Sequence, residues 1–277
     1  MTGNEHNQIT LIEPARGLIG LNFGEIWAHR ELLAFLTWRD IQVRYKQTAI
    51  GVLWVVLQPV LTTAVFTAIF SAFARFDTGA VPYPLFVLSG LMIWLFVHTS
   101  VTMASVSFVN HPNFVTKVYF PRLIVPIAAT LAGLFDLLFS LLILVVLMIW
   151  YWAMPTWQIV FAPLFLVLAL VLAVAFGTLF SALNVRFRDV KFALPFMLQV
   201  WMIASPIFYP SSIVPPKWKL VFALNPLTGI LEGFRSSVLG APFDWNLIGV
   251  SVASMAVLSV FSLFVFRWLE DKFADVI

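Results

Sequence analysis

Long apolar stretches almost free of charge recur along this chain, and they decide what it can fold into. A bilayer is crossed by roughly 20 apolar residues of helix. Inside hydrocarbon every backbone N–H and C=O has to be satisfied within the protein. Six stretches meet the length requirement: 49–74, 84–108, 123–150, 159–183, 192–209 and 247–266. Of 277 residues 61% are hydrophobic and only 10% charged, where a soluble domain carries about a quarter. Mean hydropathy is +0.98. The expected fold is an all-α membrane protein with six transmembrane helices.

The segments outside those spans carry their own signals. Residues 1–28 are polar and irregular, with Pro14, Gly17 and Gly20, and read as a cytoplasmic tail. No cleavable signal peptide is visible, so the first span is expected to serve as an uncleaved anchor. Residues 29–48 form an amphipathic helix built on Glu31–Gln47 (ELLAFLTWRDIQVRYKQ). Leu32, Leu36 and Val43 fall on one face, and Trp38, Ile41 and Tyr45 on nearly the opposite one. Two opposed apolar stripes suit a helix lying at the membrane surface and covered by another protein. An ordinary amphipathic lead-in to the first span fits equally well. Pro59 should kink the first span, and Pro195 and Pro206 interrupt the fifth. Between spans five and six, Lys217–Leu224 and Leu227–Gly240 are apolar and helical in pattern, split by Asn225-Pro226. Each is too short to cross. They read as an external re-entrant pair at 217–240, tolerated only where protein or water covers the backbone.

Orientation follows from the basic residues. With the N-terminus inside, Arg16, Arg30, Arg39, Arg44, Lys46, Lys117, Arg122, Arg186, Arg188, Lys191, Arg267 and Lys272 are cytoplasmic. Arg75, Lys217, Lys219 and Arg235 fall outside. The bias favours both termini in the cytoplasm, within a cytoplasmic membrane. It also accounts for the net charge of +3 without any nucleic-acid partner. There are no cysteines, hence no disulfide framework and no thiolate metal site.

Enzyme signatures are missing. There is no GxxxxGK[ST] loop to cradle ATP phosphates and no HExxH metal pair. His6, His29, His98 and His111 are scattered. Ser89 and His98 lie nine residues apart in one helix, too far for a hydrolytic dyad. No catalytic residue, metal or cofactor is expected in this chain. Asp136 is the one acidic residue near the middle of a span. Intramembrane carboxylates are costly and mark function by default; proton coupling and an interface role both stay open. Most of the 28 Phe, 11 Trp and 5 Tyr must serve the core or the interfacial belt. Trp54, Phe66, Phe70 and Phe73 in the first span, and Phe196, Trp201 and Phe208 in the fifth, are candidates to line a path on which sugar rings stack. Packing explains any one of them as well. In the loop Asn110–Arg122, a short helix between Pro112 and Pro121 would lie flat and dock into a soluble partner.

The ordered set RDIQVRYKQTAIGVLWVVLQP (39–59), LSGLMIWLF (88–96), NFVTKVYFPR (113–122), NVRFRDVK (184–191) and SPIFYPSSIVPP followed by NPLTGILEGFR (205–235) resembles one family. It is similar to the permease subunits of polysaccharide-exporting ABC transporters, which move lipid-linked O-antigen, teichoic acid or capsular glycan. The resemblance runs from about residue 30 almost to the end. It implies a half-transporter that pairs with a second copy and sits on two separate ATP-binding cassette subunits, which hold the ATP and Mg. It makes the 29–48 helix an interface helix. Asn113, Phe114, Val115, Thr116, Lys117, Val118 and Tyr119 become a coupling helix, and 217–240 an external gate. Spans one and five line the channel. Arg39, Arg44 and Lys46, at the cytoplasmic entrance, would meet the lipid pyrophosphate, although positive-inside topology explains them too. Two other readings remain: a related ABC permease for a drug or small lipid, and a stand-alone secondary carrier, which would need coupling carboxylates in several spans.

Overall fold

The computed structural model describes residues 23–46, 51, 53–73, 81–110, 120–270 and 273. Most of the tail (1–22) and the coupling segment Asn113–Tyr119 lie outside the described residues. Within them all regular structure is helical. The helices are α1 (Phe23–Ala28), α2 (Arg30–Lys46), α3 (Leu53–Phe73), α4 (Tyr83–Asn110), α5 (Ile124–Trp150), α6 (Ala162–Arg186, entered through the 3-10 turn Trp157–Phe161), α7 (Val190–Ala204), α8 (Lys219–Ala223), α9 (Pro226–Leu239) and α10 (Trp245–Glu270). The short α1 replaces the irregular backbone expected for 23–28.

Five of these are long and apolar enough to cross a bilayer: α3, α4, α5, α6 with its leading turn, and α10. The fifth expected span, 192–209, is helical only in its first part, and its non-helical remainder carries the chain on to the tryptophan end, where Arg235 holds the carbonyls of Pro206 and Ile207. Its helix α7 has 15 residues and stops at Ala204, a length of about 22 Å against a hydrocarbon core of about 30 Å. Ser205 turns extended and Pro206 follows, and proline excludes its predecessor from helical backbone.

The bundle is organised around α4, which is largely buried and packs against α5 and α6 most extensively, with α3, α7 and α9 beside it. Small residues let the backbones approach: Gly133 seats Ser100 and Phe96, and Gly177 faces Ala104. By contrast α3 and α10 are mostly exposed, with Leu61, Val65 and Ile69 on α3 and Val257, Val260 and Phe261 on α10 facing outward. Apolar outer faces are what lipid requires. Trp150, Tyr151, Trp152, Trp157 and Trp245 are exposed at one end, an aromatic belt that marks a membrane interface. The opposite end is closed by a separate cluster of Leu36, Phe108, Phe120, Ile124, Phe266 and Phe273. It joins α2 to the ends of α4 and α10 and the start of α5.

The helix pair expected at 217–240 is present as α8 and α9, broken at Asn225-Pro226. Asn225 caps α9, its side chain accepting the Leu227 N–H at 3.1 Å, and Pro226 fills the first helical position. Gly240 closes α9 with φ 76°, the left-handed cap that favours glycine. Ser251 of α10 donates to the Ala223 carbonyl at 2.8 Å and accepts the Gly229 N–H at 3.0 Å. The broken backbone between α8 and α9 is thus satisfied by protein.

Candidate functional site

Two polar groups of residues interrupt this apolar bundle, one toward each end. The first ties α2 to α5. Arg44 Nη1 meets Asp136 Oδ2 at 2.5 Å, and the Tyr45 hydroxyl donates to the other carboxylate oxygen of Asp136. The Tyr45 ring lies 5.5 Å from that of Phe135. Asp136 is twelve residues along α5 from Ile124, about 18 Å into the bundle. The charged end of α2 therefore packs along the first half of α5.

The α2 face turned inward carries Leu36, buried in the end cluster, then Asp40 and Arg44 at four-residue steps. Of the expected Leu32–Leu36–Val43 stripe, Leu32 and Leu36 pack in the end cluster and Val43 is exposed. The packed face mixes apolar and charged residues because its partners do. Two cavities flank Arg44. One of about 170 Å³ is lined by Tyr45, Trp54, Gln58, Thr99, Asp136 and Ser140 among others. One of about 140 Å³ lies toward α4, beside Asp40, Ser107 and Asn110.

The second polar group locks the tryptophan end. Arg235 of α9 is 3% exposed. Its guanidinium donates to the carbonyls of Pro206 and Ile207, each at 2.5 Å, and of Phe86 at 3.3 Å. It pairs with Glu232 at 3.3 Å and stacks 3.8 Å from the Phe86 ring centroid. Gly90 leaves the room, since a Cβ there would run into the guanidinium. Arg235 thus satisfies carbonyls of the non-helical segment that follows α7. Nearby, Trp201 Nε1 donates to Asn225 Oδ1 at 2.9 Å, and Asn225 Nδ2 donates to Ser205 Oγ at 2.8 Å. The indole borders a cavity of about 420 Å³ walled by Phe176, Val214, Trp218 and Phe222.

The residues singled out from sequence separate accordingly. Arg39 pairs with Asp40 at 2.6 Å, Arg44 with Asp136, and Lys46 is exposed. Phe66 and Phe70 of α3 stack on Phe208, with centroids 3.7 Å and 6.2 Å away, and Tyr83 donates to the Phe208 carbonyl at 2.8 Å. These three rings form one packed stack. Trp54 and Trp201 border separate cavities, and Phe196 is exposed on α7. The Phe73 side chain lies outside the described residues. Arg235, counted from sequence only as an outside charge, is the residue that reasoning missed; a charge embedded in the apolar run LTGILEGFRSSVL was the available signal. Among the described residues no three acidic or histidine side chains gather to hold a metal.

Outward-facing apolar helices, an aromatic belt and a buried polar lock define a multi-pass α-helical membrane protein. The chain belongs to the ABC-2 type transporter family, whose sequence profile matches residues 31–239. It is 29% identical to the O-antigen export system permease protein RfbA of Myxococcus xanthus, across 91% of this chain and 98% of that one. It is 26% identical to the protein of the same name from Klebsiella pneumoniae, across 89% and 95%. It is 24% identical to the polysialic acid transport protein KpsM of Escherichia coli, across 82% and 87%.

Proposed function

We propose that this chain is the transmembrane subunit of an ATP-driven exporter that carries a lipid-linked polysaccharide across the cytoplasmic membrane. The observation that carries this reading is the near end-to-end similarity to a permease named for O-antigen export. Two copies pair and rest on two ATP-binding cassette subunits, which supply ATP hydrolysis and Mg. Both termini face the cytoplasm, so the α2 end is cytoplasmic and the tryptophan belt external. Asn113–Tyr119 couples to the ATPase, and the α8–α9 pair with the end of α7 forms the outer gate.

Arg44 and Lys46 serve the anionic end of the lipid carrier at the cytoplasmic side. Arg39 is drawn toward Asp40, so its contribution is the smallest of the three. Aromatic side chains at Trp54, Phe196 and Trp201 suit a sugar chain that must slide, because ring faces hold C–H surfaces without fixed hydrogen bonds. Phe66, Phe70 and Phe208 act as one packed wall. The test is deletion of the gene in its host followed by analysis of surface glycan. Loss of a surface polysaccharide with its lipid-linked form retained inside, restored by the wild-type chain, is expected. Unchanged surface glycan overturns the reading.

A further inference from the structure

We infer that Asp136 is a displaceable counter-anion: it holds Arg44 while the transporter is unloaded and yields it to the phosphoryl group of the substrate's lipid carrier. This rests on the function proposed above. The starting point is an arginine that is half-buried and poorly satisfied. A guanidinium has five N–H donors in a planar fork and pairs best with two oxygens at once. Arg44 is joined to Asp136 through one nitrogen and one oxygen. Its Nε is buried with no hydrogen-bond partner among the described residues. A buried donor left unmade is costly, so a second anion has something to gain here.

There is room for one. The 170 Å³ cavity touching Arg44 and Asp136 equals several water molecules at about 30 Å³ each, which is enough for a phosphoryl group. Gln58, Thr99 and Ser140 on its walls are polar groups at a depth where most neighbours are apolar. Exposed Lys46 stands two residues beyond Arg44. A phosphoryl group offers more charge and more acceptor oxygens than one carboxylate, so it competes on favourable terms for the same fork.

The exchange has a mechanical consequence. Beyond Leu36, α2 is held to α5 through Arg44 and Tyr45, both on Asp136. Releasing Asp136 from Arg44 loosens the end of the helix that leads into α3, so loading is reported to the first span.

The experiment uses the complete transporter, this chain with its ATP-binding subunits, in phosphatidylcholine nanodiscs. The chain has no cysteine, so spin labels go on Val43→Cys and Ile149→Cys, both exposed sites. The probes are farnesyl pyrophosphate and, as the uncharged control, farnesol. With the wild type, pyrophosphate but not farnesol should lengthen the label distance. Asp136→Asn should show the lengthened distance without any probe and bind farnesyl pyrophosphate about tenfold more tightly, because the competing state is removed. Where Asp136→Asn fails to assemble, Tyr45→Phe removes one tie on Asp136 and should tighten binding by a factor of about two.

If the wild type does not prefer pyrophosphate to farnesol, the proposed lipid-carrier substrate itself falls, and this inference with it. If it does, but the labels stay still and the variants bind no more tightly, only the exchange at Asp136 is overturned. Phosphatidylglycerol moving the labels as far as farnesyl pyrophosphate also overturns it, since any anionic lipid would then serve.

Discussion

Arg235 is the single side chain on which most of the tryptophan end converges. It completes carbonyls on two segments, after α7 and in α4, and reaches them from a third, α9. Replacing it with methionine keeps much of the volume and strands those carbonyls. Arg235→Met should cost about 3–5 kcal/mol, read as a fall in the detergent melting temperature of the purified protein. Gly90→Ala should destabilise by about 1–3 kcal/mol through the clash with the guanidinium, and the double variant should lose less than the sum. Additive losses would mean that the two do not share one space. Sequence flagged Asp136 because a carboxylate inside a span is conspicuous. Its partner was not legible, because Arg44 is 92 residues away and nothing local couples them. Arg235 was hidden by a rule that treats every arginine near a membrane as a topology signal.

Among the elements, α9 and the end of α7 depend on each other through Asn225. That residue caps α9, takes the Trp201 indole N–H and donates to Ser205. Asn225→Ala should lower stability by about 1–2 kcal/mol for the cap, with further loss from the orphaned indole. Red-shifted tryptophan fluorescence in the folded variant would report the freed Trp201; an unchanged spectrum would argue against the bond. The Asn225-Pro226 break could be read in advance, since an N-cap residue followed by proline is a local start signal. The end of α7 was legible only in part: Pro206 signals an interruption, but not how the chain beyond it is held. Apolar residues continue to Tyr209, and hydropathy does not say that Arg235 satisfies the carbonyls of Pro206 and Ile207. Part of the α2 face was misjudged for a related reason: its inward positions Asp40 and Arg44 are polar, so a search for an apolar stripe selected Val43 instead.

At the scale of the whole molecule, the five long helices were legible because composition alone demands them. How they pack was not, for in lipid the choice falls to small residues such as Gly133 and Gly177 rather than to hydrophobicity. The orientation proposed here is open to direct measurement. A single cysteine at exposed Leu220 should react with an impermeant maleimide applied from outside, and one at Lys46 only after the membrane is opened; the reverse pattern would invert the topology. The half-buried pair of Arg44 and Asp136 carries one more consequence, for biosynthesis. Arg44 leaves the ribosome 92 residues before its carboxylate. At 5–20 residues per second that is a wait of roughly 5–18 s. During that interval an unpaired guanidinium has no place inside hydrocarbon, so α2 must linger in the headgroup region. Only the arrival of the third long helix lets it be drawn in, so α2 settles after α3, α4 and α5 have been made, although it precedes all three in the chain.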